Sequence, residues 1–136
     1  MNSKSGITYL LARLPIGMSM FGHGFDRIPK LQAFSTHMAG QFNKTIIPVS
    51  LVSFLGQVLP FLELLTGILL LLGLFTRLGC ILGVVLMVAL IFGSSVLEQW
   101  ENVFTQIIYG AYFALLYYFA DYNKYSIDSL FHKSSI

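Results

Sequence analysis

Arg13 and Glu63 each stand inside a long apolar stretch, and together they set the chemical question this sequence poses. In hydrocarbon an ionisable side chain costs roughly 2.5–3.5 kcal/mol on insertion scales, so it persists where it packs against a partner or performs a task. At 1.5 Å per residue, Arg13 falls about 10 Å into the first stretch and Glu63 about 15 Å from the end of the second, depths that predict an ion pair between them. A paired guanidinium keeps spare N–H donors for an acceptor on a ligand, and a carboxyl group can exchange a proton with it. Read structurally, the same pair would simply lock two helices together.

A second polar set, His23, Gln57, Gln106 and Tyr109, is expected at similar depth in the other half of the molecule. His23 can carry a proton near neutral pH, and its neighbours Gly22 and Gly24 allow another backbone or a ring to approach. The plainer reading is a capping histidine at a helix end. His23, His37 and His132 are too dispersed for a metal motif, so no metal is expected. The one cysteine, Cys80, excludes a disulfide or a CxxC pair within the chain. There is no GxSxG motif, phosphate loop or recognisable triad. With 8 basic and 6 acidic residues the chain has no nucleic-acid stripe.

The elements that must position these residues are helices in a bilayer. Hydrophobic residues make up 56% of the chain, charged residues only 10%, and the mean hydropathy is +0.76, too apolar for a water-facing surface. Four spans are expected, at about 7–25, 48–74, 78–96 and 103–120, in a single domain over 1–136. The first is read as a retained helix: Arg13 and Pro15 interrupt it, and its exit, Gly22-His23-Gly24-Phe25-Asp26, is no cleavage site. The short connection Phe75-Thr76-Arg77 predicts an antiparallel hairpin. Between the first two spans, in 27–44, Ile28, Leu31, Phe34, Met38 and Phe42 recur at helical spacing opposite Lys30, Gln32, Ser35 and Gln41, as in an interfacial amphipathic helix. The fold class is therefore all-α, an integral membrane four-helix bundle with that short interfacial helix.

Small residues assign the inward faces. Gly17 and Gly24 share a face with Arg13, and Gly56 and Gly67 share one with Glu63. Pro15, Pro48 and Pro60 read as kinks or helix starts. Lys4, Arg77, Lys124 and Lys133 fall on the side of the termini, against Arg27, Lys30 and Lys44 on the other, which predicts cytoplasmic termini. The connection 98–102 has no lysine or arginine and offers Trp100 as an interfacial anchor. The polar tail 121–136 is expected to lie on the surface or fray, with an amphipathic piece in Tyr125, Ile127, Leu130 and Phe131.

Arg13-x3-Gly17, Phe21-Gly22-His23-Gly24-Phe25-x4-Lys30-Leu31 and Leu59-Pro60-x2-Glu63-x3-Gly67, running on through Ile68 to Gly73-Leu74-Phe75-Thr76-Arg77, together resemble the DoxX/DoxD family of small four-helix bacterial membrane proteins. The resemblance implies Arg13, Gly17, Glu63, Gly67, Gly73 and Arg77 as pattern positions and the bacterial inner membrane as the location. It also implies a link to membrane redox chemistry, because DoxD-type subunits belong to thiosulfate:quinone oxidoreductases. The sequence lacks the extra domain that would specify thiosulfate, and it lacks the paired cysteines of the similarly built vitamin K epoxide reductases. The expectation is a membrane subunit of a redox or respiratory assembly, without a covalent cofactor, that binds a quinone or lipid-like molecule. Arg13 or His23 would meet a carbonyl, Glu63 would exchange a proton, and Phe21, Phe61 or Tyr109 would cover the ring. Its partners would be the bilayer and either other membrane subunits or further copies of itself. A non-catalytic assembly or scaffold subunit is the alternative, and a small-solute transporter, without an inverted repeat, a weaker third.

Overall fold

The computed structural model describes residues 3–131 and is all-α. Helix α1 runs Ser3–Arg27, and a 3-10 turn Ile28–Lys30 leads into α2, Leu31–Gln41. Three longer helices follow: α3 (Val49–Leu72), α4 (Thr76–Val96) and α5 (Trp100–Tyr118). A second 3-10 turn, Ala120–Tyr122, precedes the short α6, Ile127–Phe131. His132, Lys133 and the rest of the tail to Ile136 lie outside the described residues.

Two of the helices, α3 and α4, are long and apolar enough to cross a membrane, with hydropathies of 2.0 and 2.4 over their best windows. Helix α1 falls short because Arg13 and several small or polar residues, among them Thr8, Tyr9, Pro15 and Ser19, dilute its apolar stretch between Lys4 and Asp26. Helix α5 falls short because it opens on Trp100-Glu101-Asn102 and carries Gln106 and four tyrosines. The expectation of four spans is thereby narrowed to an all-α fold with two such helices. Around its perimeter the fold exposes large apolar side chains, including Phe54, Phe61, Val88, Phe92 and Phe104, a surface that water would penalise and hydrocarbon would not.

The tightest crossing is α1 on α3, and small residues create it. Gly17 faces Leu70 and Leu71, Gly67 meets the backbone of Phe21, and a Cβ on Gly24 would lie 2.6 Å from the Pro60 carbonyl oxygen. Backbones this close are how helices associate where no hydrophobic force separates lipid from protein. Gly67→Leu is therefore expected to force α1 off α3 and to cost about 3 kcal/mol. Gly22→Ala, where an added Cβ meets nothing, is expected to leave stability unchanged or raise it by about 0.5 kcal/mol. Thermal unfolding in detergent checks both, and equal effects at the two glycines would refute the crossing.

Helix α2 covers the start of α3, but its buried face is not the predicted one. Ser35, expected on the polar side, is buried: its Oγ donates to the Ser53 carbonyl at 2.8 Å, and Gly56 admits its backbone. A small hydroxyl satisfied by a neighbouring carbonyl packs as easily as an alanine. Ala39 and Phe42 complete this contact against Val52.

On the far side α4 packs on α5 through Gly83 under the Phe113 ring. Helices α1 and α5 are instead joined by tyrosine hydroxyls. Tyr9 donates to the Leu116 carbonyl and Tyr112 to the Ala12 carbonyl, each at 2.6 Å, and Tyr109 shares a 2.6 Å hydrogen bond with Ser19. Helix α3 ends at Gly73, whose φ of 69° is the left-handed cap a glycine adopts without strain. With α4 starting at Thr76, the expected hairpin is present.

Candidate functional site

Side-chain direction decides which charges meet. Cβ bonds tilt toward a helix N-terminus, so a long side chain reaches the turn before its own residue. The α1–α3 contacts put Gly24 level with Pro60 and Leu64, and therefore with Glu63. Arg27, one turn after Gly24 on the same face, reaches back to that level. Its Nη1 donates to both Glu63 oxygens at 3.0 Å, and its guanidinium lies 4.5 Å over the Phe34 ring. The Glu63 side chain is only 4% exposed and that of Arg27 30%.

The expected partnership of Arg13 with Glu63 is thus corrected to Arg27 with Glu63. Arg13 sits eleven residues before Gly24, roughly 17 Å along the axis, and its side chain tilts further away. It is buried at the opposite end of the bundle, where Nη1 donates to Asn123 Oδ1 at 2.6 Å and Nη2 to the Tyr125 carbonyl at 3.1 Å. Asn123 passes the connection on to Thr76 Oγ1 at 2.8 Å. Asp128 accepts the backbone N–H groups of Phe75 and Thr76 at 2.6 and 2.9 Å, capping α4 in place of a local side chain. So the stretch 123–128, expected to lie on the surface or fray, is docked on the α3–α4 turn. Asp128→Ala leaves two N–H groups buried without an acceptor, and a loss of about 2–4 kcal/mol is expected in thermal unfolding.

Of the pattern positions, Gly17 and Gly67 stand at the α1–α3 close approach, and Gly73 is the left-handed end of α3, with Ser126 and the Arg13 guanidinium packed against it. Arg77 bonds Asp121 at 2.6 Å on a largely exposed surface, a tie of small energetic weight between α4 and the chain after α5.

Above the Arg27–Glu63 pair lies a cavity of about 640 Å³ whose walls come from α1 through α5. Met20, Phe34, Met38, Leu59, Met87 and Leu90 supply apolar surface. Four of the predicted polar residues, His23, Glu63, Gln106 and Tyr109, also line it. His23 Nδ1 donates to the Ser19 carbonyl at 2.7 Å, which leaves Nε2 of a neutral ring as an acceptor. Gln106, with its amide oriented to suit its surroundings, donates to Ser94 Oγ and the Leu90 carbonyl at 3.2 Å and so holds α5 to α4. Gln57 is not brought in: it is exposed on the outer face of α3. Of the aromatic residues expected to cover a ring, Tyr109 lines the cavity, Phe61 is half-exposed and Phe21 stacks on Phe25 at 5.7 Å.

Sequence reasoning used Arg27 only for orientation and missed it as a partner. The signal was available in the glycines, since Gly17, Gly24 and Gly67 fix the register of α1 on α3. Asn123 and Asp128 carried no comparable signal, because a polar tail reads the same whether docked or loose.

Among known families, the model of the DoxX family matches residues 8–95, well over half of the chain. No curated protein and no solved structure matches it.

Proposed function

This chain belongs to the DoxX family, and we propose that it is a subunit of a redox or respiratory assembly of the bacterial inner membrane, binding a quinone or similar lipid-like carbonyl compound beside Arg27 and Glu63. In this reading α1 and α5, 25 and 19 residues long and so roughly 37 and 28 Å, cross the bilayer with α3 and α4. Both termini then lie on the cytoplasmic side, and α2 lies at the opposite surface with Trp100 as an anchor.

One observation carries the proposal: a ligand-sized, mostly apolar cavity has a buried ion pair, an imidazole and a phenol in its wall. These residues fit a quinone. Arg27 spends Nη1 on Glu63 and keeps its other N–H groups for a carbonyl oxygen. Glu63 fixes that guanidinium and stands ready to exchange a proton, while His23 Nε2 accepts one from a hydroxyl on the reduced ring. Methionine and aromatic side chains pack a ring without competing for its oxygens. Cys80, the one cysteine, is buried in the core, so electrons would come from a partner subunit.

The second reading, a scaffold subunit, is favoured by the fact that Arg27 already satisfies both Glu63 oxygens. Native mass spectrometry with quinone extraction on protein from its own membranes separates the two. A stoichiometric quinone in the wild type, lost in Glu63→Gln, supports the redox subunit. A quinone-free complex that is unchanged in Glu63→Gln supports the scaffold.

A further inference from the structure

A second concavity, of about 830 Å³, runs between α1 and α5 at the opposite end of the bundle and shares no residue with the Glu63 cavity. Its floor is Tyr9, Ala12, Tyr112 and Leu116, and exposed Ile108, Leu115 and Phe119 stand along its rim. The two tyrosine hydroxyls of the floor are spent on carbonyls across the seam, Tyr9 on Leu116 and Tyr112 on Ala12. The floor therefore asks no ligand for a hydrogen bond, which disfavours a quinone head and suits a hydrocarbon chain.

One charge borders it. Lys4 lines the end of the groove, and its ammonium makes no hydrogen bond or ion pair among the described residues. Lys124, two residues beyond the groove's Tyr122, has its Cβ packed against Gly6 and does not line the groove, so Lys4 is the cation the groove presents. Tyr122 lines the groove as Lys4 does, and amphipathic rings are common at the headgroup level.

We propose that the α1–α5 groove is a binding site for an anionic glycerophospholipid, its acyl chain along Tyr9, Ala12 and Leu116 and its phosphate at Lys4. The seam explains why the groove exists: α1 and α5 meet through side-chain hydroxyls rather than through glycines, which keeps their backbones apart and leaves a trough that lipid fills. A bound chain then forms part of the wall between two helices that otherwise touch little.

The test is native mass spectrometry of the full chain released from vesicles containing equal amounts of phosphatidylglycerol and phosphatidylcholine. Wild type is expected to retain phosphatidylglycerol in clear preference. Lys4→Glu, an exposed change that leaves the helices intact, is expected to lower that preference about fivefold. Ala111→Phe, which fills the trough, is expected to abolish retention of either lipid while helicity by circular dichroism is kept. Equal retention of the two lipids by wild type, or a preference unaltered in Lys4→Glu, overturns the proposal. So does a wild-type dimer that Ala111→Phe dissociates, which would make a second copy of the chain the occupant.

Discussion

Arg13→Ala is expected to release the C-terminal segment from the bundle and to cost about 4 kcal/mol. The guanidinium is fully buried and serves two acceptors on one stretch of chain, Asn123 Oδ1 and the Tyr125 carbonyl. Hydrogen bonds from a charged donor contribute about 1.5–3 kcal/mol each, and truncation also leaves a void. Asn123 then loses its hold on Thr76, and the Asp128 carboxylate loses its place over the α4 N-terminus. Arg13→Lys is expected to recover less than half of the loss, because a single ammonium does not reproduce a planar fork serving two acceptors. Two measurements check this. Thermal unfolding gives the magnitude, and faster trypsin cleavage after the exposed Lys124 reports undocking, since a protease needs several residues on either side of the bond to come free of the bundle. Because Arg13 and Asp128 anchor the same segment, the double variant Arg13→Ala/Asp128→Ala is expected to lose less than the two single losses combined. Full additivity would mean that the two residues act on separate parts of the fold.

The contrast between Arg13 and Glu63 shows what the sequence made legible. Apolar runs and short connections predict the helices and the α3–α4 hairpin, because a chain of this hydropathy leaves few other ways to satisfy its backbone. That Arg13 and Glu63 face inward also follows from composition, since an isolated charge in apolar surroundings must find a partner. Which partner it finds depends on register, and fourteen positions along α1, from Arg13 to Arg27, separate the expected pair from the one observed. Depth measured from each span's end could not fix this, because α1 runs further than α3 at the end where the tail docks and Gly6 packs against Tyr125. Ser35 is a smaller instance. A hydroxyl is polar in any hydropathy pattern, yet the Ser53 carbonyl and the space over Gly56 make it a core residue. Gln57 is the reverse case, a polar side chain turned outward, because the faces of α3 are fixed by Gly56, Glu63 and Gly67 rather than by where an amide would be most comfortable.

Removing one member of the Arg27–Glu63 pair is expected to have unequal effects, and the inequality separates structure from function. Arg27→Leu leaves a carboxylate buried without its cation, and a loss of about 3–5 kcal/mol is expected. Glu63→Leu leaves a guanidinium that is 30% exposed at the last turn of α1, where it can swing toward water, so a loss nearer 1–2 kcal/mol is expected. Replacing both by leucine removes the desolvation cost along with the attraction, and such exchanges of buried pairs for apolar residues are often neutral or stabilising. The double variant is accordingly expected to unfold within about 1 kcal/mol of wild type. Its cavity keeps the Met20, Met38 and Met87 walls but loses its carbonyl donor and its carboxyl group. A well-folded double variant that retains no quinone assigns the pair to binding. The same variant with quinone occupancy intact would show that the apolar walls alone hold the ring, and would return Arg27 and Glu63 to the role of a lock between α1 and α3.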